Sequence, residues 1–318
     1  LVAEYNKWSD AFKRLDSIIS PATRSRGSVV IPMAGLGKRF ADEGYALTKP
    51  LIPVSGKPMV VQAVNDLPAA EQYAFVIRKD MPGYADIGQQ LQANYPGAVI
   101  HTIDSVTEGQ ACTALIGLDA LAGKGPVASP ITFGACDNGA LYNKQKLEQL
   151  LDDPSIDVIV WGVRGHPNAL RHPGMFGWID EQSGQIKRIS VKQPLDNPSH
   201  DPIVLGTFTF RSGVAFREVV KRLIARDGRI NGEFYIDACI NDAIEMGLHC
   251  RFFEVDSFLC WGTPNELRTF EYWQSCFHKW PSHPYRLEQD GHVPAVALPE
   301  LEARYAPLRP ARLHPKSA

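Results

Sequence analysis

Apolar residues along this chain change period several times, and the changes predict its elements. Trp8, Phe12, Leu15 and Ile19 stand at helical spacing, which predicts an amphipathic helix over residues 1–20. A polar connector, Pro21 to Ser28, follows. The main body then opens on an unbroken apolar run, Val29-Val30-Ile31-Pro32-Met33, with the content of a buried strand. Short β-rich runs recur at Tyr73 to Arg78, Ala98 to Ile103, Ile131 to Ala135 and Ile156 to Val163. Helical stretches near 58–66, 84–94, 109–121 and 144–151 separate them. Such alternation predicts an α/β fold, a mostly parallel sheet covered by helices.

From about residue 174 the pattern changes. Phe176 to Asp180, Ile186 to Val191 and Ile203 to Phe210 read as strands, with a turn signal at Gln182-Ser183-Gly184-Gln185. They predict a β-hairpin insertion late in the fold, followed by helices near 214–225, 234–246 and 264–276. Trp273, Phe277, Trp280 and Tyr285 make the end of the last helix aromatic-rich, as core packing requires. Beyond about 289, Pro294, Pro299, Pro307, Pro310 and Pro315 predict a tail that wraps the surface or is disordered. No hexapeptide repeat follows residue 276, which argues against an appended β-helix. The expected division is an N-terminal helix and connector (1–27), one α/β domain (28–288) and a Pro-rich C-terminal tail (289–318).

Composition narrows the function classes. With 318 residues, 44% hydrophobic and 21% charged, the chain has an ordinary globular make-up. A net charge of -2 gives no pointer to nucleic acid or to an acidic membrane surface. No apolar run approaches the ~20 residues of a membrane span, and Leu1 to Arg26 lacks the apolar core of a signal peptide. Six cysteines without a Cys-x-x-Cys pair read as reduced buried thiols, and the expected location is cytoplasmic. His166, His172, His278 and His283 show no metal spacing and read as surface or supporting residues. The chain begins at Leu1, as a processed product or a domain cut from a longer polypeptide would.

The segment richest in chemistry directly follows the first strand: Pro32-Met33-Ala34-Gly35-Leu36-Gly37-Lys38-Arg39-Phe40. Glycines let a backbone approach a ligand and turn its N–H groups toward phosphate oxygens, and Lys38 and Arg39 add positive charge there. It is not a P-loop, which needs Gly at Pro32 and Ser or Thr at Arg39. It is not the dinucleotide fingerprint either, because Phe40 stands where the third Gly belongs. Two Lys-Pro pairs continue it in Thr48-Lys49-Pro50-Leu51-Ile52-Pro53-Val54-Ser55-Gly56-Lys57-Pro58-Met59. A Lys before Pro is biased to an extended backbone, which suits a fixed cation aimed back at a phosphate; Lys57 reads better as a solvated loop residue.

In these motifs the chain resembles the sugar nucleotidyltransferases, the nucleoside-diphosphate-sugar pyrophosphorylase family. A Gly-rich loop ending in Arg and then Lys-Pro-Leu is that family's signature. Further segments resemble it in order: Thr107-Glu108-Gly109-Gln110-Ala111, then Phe133-Gly134-Ala135-Cys136-Asp137-Asn138. Phe176-Gly177-Trp178 with Val191-Lys192-Gln193-Pro194 comes next. Asn231-Gly232-Glu233-Phe234-Tyr235-Ile236-Asp237 and Trp261-Gly262-Thr263-Pro264-Asn265-Glu266-Leu267 complete the set. The likeness implies a Rossmann-like, mixed but mostly parallel twisted sheet of the glycosyltransferase-A type, with helices on both faces.

It also implies an activity. A phosphate oxygen of an acceptor, a sugar phosphate in this family, would attack the α-phosphorus of a nucleoside triphosphate and release pyrophosphate. Arg39 and Lys49 carry the catalytic charge in this reading, with Ala34, Gly35, Leu36, Gly37 and Lys38 on the phosphates. Thr107, Gly109 and Gln110 would face the base, Gly109 where a side chain would not fit. Gly177, Lys192 and Glu233 would face the acceptor. Asp137 would hold Mg²⁺. One departure stands out: where many members carry a second metal-binding Asp, this chain has Cys260, and a thiol is a poor Mg²⁺ ligand. Either Asp137, water and phosphates hold the metal alone, or the nearby Asp256 reaches in, or the acceptor is a different one. The departure keeps open a cytidylyltransferase acting on a phosphocholine-like or phosphonate-like acceptor, and a non-catalytic module of the same fold. A glycosyltransferase of this fold would normally show Asp-x-Asp, which the chain lacks. The helix over 1–20 leaves room for a fused upstream domain or a homo-oligomer contact.

Overall fold

The apolar run that opens the main body is a strand buried on both faces near the middle of a nine-stranded sheet. The computed structural model describes residues 2–17 and 25–308. Ile19, Pro21, Pro310 and Pro315 lie outside them. In chain order come α1 (Val2–Ser17), β1 (Ser28–Pro32), α2 (Lys38–Asp42), the hairpin β2 and β3 (Pro53–Val54, Lys57–Pro58), α3 (Met59–Asn65), β4 (Gln72–Arg78) and α4 (Tyr84–Asn94). Then follow β5 (Val99–Ile103), α5 (Gln110–Ala122), β6 (Ile131–Phe133), β7 (Asn138–Leu141), α6 (Lys144–Asp152), β8 (Val158–Val163) and α7 (Pro167–Arg171). The last part carries β9 (Gly177–Gln182), β10 (Gln185–Val191), β11 (Ile203–Phe210), α8 (Gly213–Ala225) and α9 (Ile236–Glu245). It ends with β12 (Cys250–Glu254), β13 (Ser257–Cys260), α10 (Pro264–Lys279) and α11 (Leu298–Tyr305).

The sheet order is β5-β4-β1-β6-β11-β8-β12-β10-β9. Only β10 and β11 run against the other strands, so the sheet is mixed and mostly parallel. The late hairpin is β9–β10, and β9 also pairs with β11 at Ile203 and Trp178, which curls that end of the sheet on itself. Period-2 alternation sends helices to both faces. Val30 and Ala74 point to the core under α5, α8 and α9, whereas Val29, Ile31, Phe75 and Ile77 point to the core under α3 and α4.

Three features differ from the pattern reading. First, the apolar face of α1 is consumed within the chain: Phe12 is fully buried against Phe270, Phe277 and Tyr285. Each such side chain contributes roughly 1.5–3 kcal/mol of burial. Second, the proline-bearing segment after 289 is folded as far as it is described, with Leu301 and Tyr305 buried in the same core as α1 and α10. His292 ties it down, bonding Asp66 at 2.6 Å and Asp290 at 3.0 Å. Burial alone would lower the His292 pKa, but the two carboxylates outweigh it and push it up to about 10. Prolines marked breaks there without marking disorder. Third, His283 is buried, not superficial: it stacks on Phe277 and bonds Ser9 of α1.

Candidate active site

Strands β1 and β6 end side by side, and the segments that leave their C-terminal ends carry the residues expected to meet phosphate. The loop after β1 is anchored from beneath. Arg78, a buried residue at the end of β4, donates from Nη1 to the Ala34 carbonyl at 2.7 Å. Gly37 has φ +62°, a left-handed conformation open to glycine, and its Cα packs on the stem of Lys49. Gly35 faces open space. Leu36 is exposed, and Lys38 is taken up by Asp42 at 2.8 Å. Arg39 makes no ion pair or hydrogen bond among the described residues.

Lys49 opens a single 3₁₀ turn, Lys49–Leu51, so the extended backbone expected before proline is found at Lys57 in β3 and not here. Its Nζ lies 2.5 Å from Asp137 Oδ2 and 5.8 Å from the centre of the Phe40 ring. Burial would lower the Lys49 pKa, but the Asp137 carboxylate outweighs it and holds the ammonium above its ordinary value. Lys57 reaches instead toward the Gly291 carbonyl.

Asp137 sits between β6 and β7, and β7 pairs antiparallel with β13. In that register Cys260 stands opposite Asn138, so the thiol is beside the Asp137 segment. Burial, with the Glu266 and Asp137 carboxylates adding to it, pushes the thiol well above its usual range and keeps it neutral. Asp256 lies beyond the other end of β13 and pairs with Arg14 of α1 at 3.0 Å. Four residues of strand, roughly 13 Å, separate it from Cys260. Asp256 is therefore not the substitute metal ligand. Glu266 is better placed: a methyl group on Gly262 would stand 3.1 Å from Asp137 Oδ2 and 3.5 Å from Glu266 Oε2.

Gly109, expected to face the base, caps α5 with φ +140°. A Cβ there would meet the Phe234 backbone at 2.4 Å, so the chain itself already demands the glycine. Ala111 N–H bonds the Phe234 carbonyl and Phe234 N–H bonds that of Glu108, which staples this loop to residues 232–234. Thr107 is spent internally on Thr113 and Gly109. Gln110, half-buried, keeps its side chain free of described partners.

On the side expected to face the acceptor, Gly177 makes room for a carboxylate: a Cβ would stand 2.3 Å from Asp237 Oδ2. Burial pushes Asp237 up to about 6, with the Lys192 ammonium pulling the other way. Lys192 adopts φ +61°, rare for a side-chain-bearing residue; its Nζ bonds the Met175 carbonyl at 2.7 Å and lies over the Tyr235 ring. Glu233 is exposed and interacts with the Tyr235 hydroxyl. Tyr235 also feels Arg39, which joins the acceptor side to the phosphate side.

By sequence no family model and no curated protein matches the chain. Solved structures do. The nucleoside-diphosphate-sugar pyrophosphorylase from Vibrio cholerae RC9 superposes with a TM-score of 0.62 at 20% identity, covering 76% of this chain and 98% of that one. The inositol-1-phosphate CTP transferase from T. maritima gives 0.57 at 13% identity over 78% and 94% of the two chains. A putative glucose-1-phosphate thymidylyltransferase from Bacillus anthracis gives 0.57 at 18% over 77% and 93%. The chain has the fold of the nucleotide-sugar pyrophosphorylases.

In that fold the structure gathers Gly35, Gly37, Arg39, Lys49 and Asp137 on one side and Gly177, Lys192 and Glu233 on the other. It leaves Asp256 outside. Sequence reasoning passed over Asp237, Tyr235, Arg78 and Glu266. Asp237 and Tyr235 stand inside a motif already quoted, but the partner that singles out Asp237, Gly177, is 60 residues away. Glu266 had a local signal that hid it: Thr263-x-x-Glu266 is a helix capping box, and the Thr263 side chain does accept from Glu266 N–H.

Proposed function

We propose that the protein is a nucleotidyltransferase that transfers a nucleoside monophosphate from a triphosphate to a phosphorylated small metabolite, a sugar phosphate in the leading reading. The observation that carries it is the Lys49–Asp137 pair at the mouth of the Gly-rich loop, with Arg39 beside it and without a counter-ion among the described residues. The acceptor phosphate is anionic near pH 7, so no general base is required. Its oxygen forms a bond to the α-phosphorus while the bridging bond to the β-phosphate breaks, and the electron pair leaves with pyrophosphate. The obstacle is charge, and preorganised cations and N–H groups lower it.

Lys49, held charged and in place by Asp137, would contact the α-phosphate and the acceptor phosphate. Arg39 and the Gly35–Gly37 backbone address the leaving phosphates. The donor set fits Mg²⁺: Asp137 and Glu266 offer hard carboxylate oxygens, and Cys260 stays neutral. When bound, the ion would neutralise phosphate charge. A cytidylyltransferase with a non-sugar acceptor is the second reading, favoured by the likeness to the inositol-1-phosphate CTP transferase.

The test is pyrophosphate release with Mg²⁺ and CTP, UTP, GTP, ATP or dTTP against pooled phosphorylated metabolites. Release with one pair supports the class and names both substrates. Folded protein that binds a triphosphate and releases nothing with any pair would reject it.

A further inference from the structure

The segment after α10 touches the unit that carries Lys49 at both of its ends. That unit runs from the Lys49–Leu51 turn through the β2–β3 hairpin into α3, and Met59 N–H donates to the Ile52 carbonyl at 2.9 Å to join turn and helix. At the hairpin tip Gly56 has φ +82°, and a Cβ there would overlap Ala297. Ser55 beside it begins a chain of hydrogen bonds. Gln274 of α10 donates from Nε2 to Ser55 Oγ at 2.9 Å and to the Tyr285 hydroxyl at 2.8 Å. Tyr285 donates to Asp290 Oδ2 at 2.7 Å. His292 donates from Nδ1 to Asp290 Oδ1 at 3.0 Å and from Nε2 to Asp66 Oδ1 at 2.6 Å. Asp66 caps the C-terminal end of α3, so the chain leaves the unit at Ser55 and returns to it at Asp66. All of its members except His292 are buried. Such a chain holds one arrangement, because each broken bond leaves a desolvated group unpaired.

Asp66 is also where this unit meets the Asp137 segment. Its second oxygen, Oδ2, is buried without a hydrogen bond among the described residues. It lies against the Cα of Gly139 in β7, two residues after Asp137, where a Cβ would overlap the carboxylate. The Trp261 ring crowds the same glycine, and Trp261 N–H donates to the Asp137 carbonyl at 2.9 Å. Without His292 the Asp66 carboxylate would be a buried charge short of its partner, and it would leave this position or take up a proton. The bond to His292 keeps it there. The Asp66–Gly139 contact therefore fixes how closely α3 approaches β7, with Lys49 carried on one side of it and Asp137 on the other.

We propose that Asp66 is a positioning residue, aimed by His292, that sets the spacing between Lys49 and Asp137, so that the segment after α10 helps to build the candidate site. The consequence for turnover rests on the nucleotidyltransferase reading; the spacing does not. The experiment uses the full chain with four substitutions. Asp66→Ala removes the spacer, and Asp66→Asn keeps its shape and an oxygen for His292. His292→Ala leaves Asp66 unaimed. Leu301→Ala removes apolar burial from the same segment but none of these bonds. Pyrophosphate release with the triphosphates and acceptor pool named above is compared with thermal melting. Asp66→Ala and His292→Ala should lower the maximal rate about tenfold or more, with half-saturating triphosphate within about twofold of wild type. Asp66→Asn should keep most of the rate, and Leu301→Ala should melt earlier at an unchanged rate. Crystal structures without substrate give the second readout: the Lys49 Nζ to Asp137 Oδ2 contact should open beyond about 3.5 Å in Asp66→Ala and persist in Asp66→Asn. A contact that persists in Asp66→Ala, a rate as low in Asp66→Asn as in Asp66→Ala, or an equal loss in Leu301→Ala would each overturn the proposal. Should Asp66→Ala fail to fold, His292→Ala decides by the same two readouts. Wild type that turns over no pair defeats nucleotidyl transfer, and the crystal structures then decide the spacing by themselves.

Discussion

The two sides of the cleft use the same residue types to different ends. On the phosphate side, Gly35 faces open space and Lys49 points its ammonium at a carboxylate that can exchange it for phosphate. On the acceptor side, Gly177 is filled by the Asp237 carboxylate and Lys192 spends its ammonium on the Met175 carbonyl. Gly109, read as a glycine that yields space to a base, behaves like Gly177: the Phe234 backbone occupies that space. A motif glycine thus serves either a ligand or the protein, and only the atoms next to its Cα tell which.

This contrast can be broken by substitution. The largest effect is expected at Lys49. Lys49→Ala should cut pyrophosphate release about 10³-fold or more, with little loss of stability, because it removes transition-state charge and the partner it leaves is reachable by water. Unchanged turnover would remove Lys49 from the site. Next comes Gly109→Ala, which should destabilise the fold by about 2–4 kcal/mol in denaturant melts, since backbone must move to admit the methyl group. A neutral result would restore the role of Gly109 as space for the base.

Asp237→Asn sharpens the contrast through pH. Asp237 is raised to about 6 in the fold, so protonation favours the folded state. The stability this group provides is complete below about 4 and falls as pH rises to about 6. The Asn variant escapes that loss, so above pH 6 it should exceed the wild type by about 1–3 kcal/mol, and the gap should close near pH 4. A gap that is flat with pH would show that Asp237 is not held this way. Gly35→Ala is the smallest: no change in melting, but roughly tenfold weaker triphosphate binding, about 1.4 kcal/mol. A stability loss at Gly35 would put it in the class of Gly109.

The sheet was legible because its strands are buried on both faces and read as continuous apolar runs, as at Val29 to Ile31 and Val158 to Val163. The pair β7–β13 was not, since Asn138-Gly139 carries a turn signal and the two strands are over a hundred residues apart. Prolines after 289 predicted a tail that wraps the surface or is disordered, because composition does not reveal that Tyr305 bonds Gln274 in the core. In the candidate site, the nearness of Lys49 to Asp137 was legible as far as both motifs follow strand ends, where charge would meet phosphate. Glu266 was not, since its significance comes from what faces it, Gly262.

The most direct test of the account is to follow the α-phosphate. Triphosphates labelled there would be incubated with the acceptor pool and the products separated. The account predicts label in an acceptor-linked diphosphate and none in the released pyrophosphate, with both products lost in Lys49→Ala. Label that stays in the triphosphate, or appears only as free monophosphate, from protein that binds the nucleotide would contradict nucleotidyl transfer.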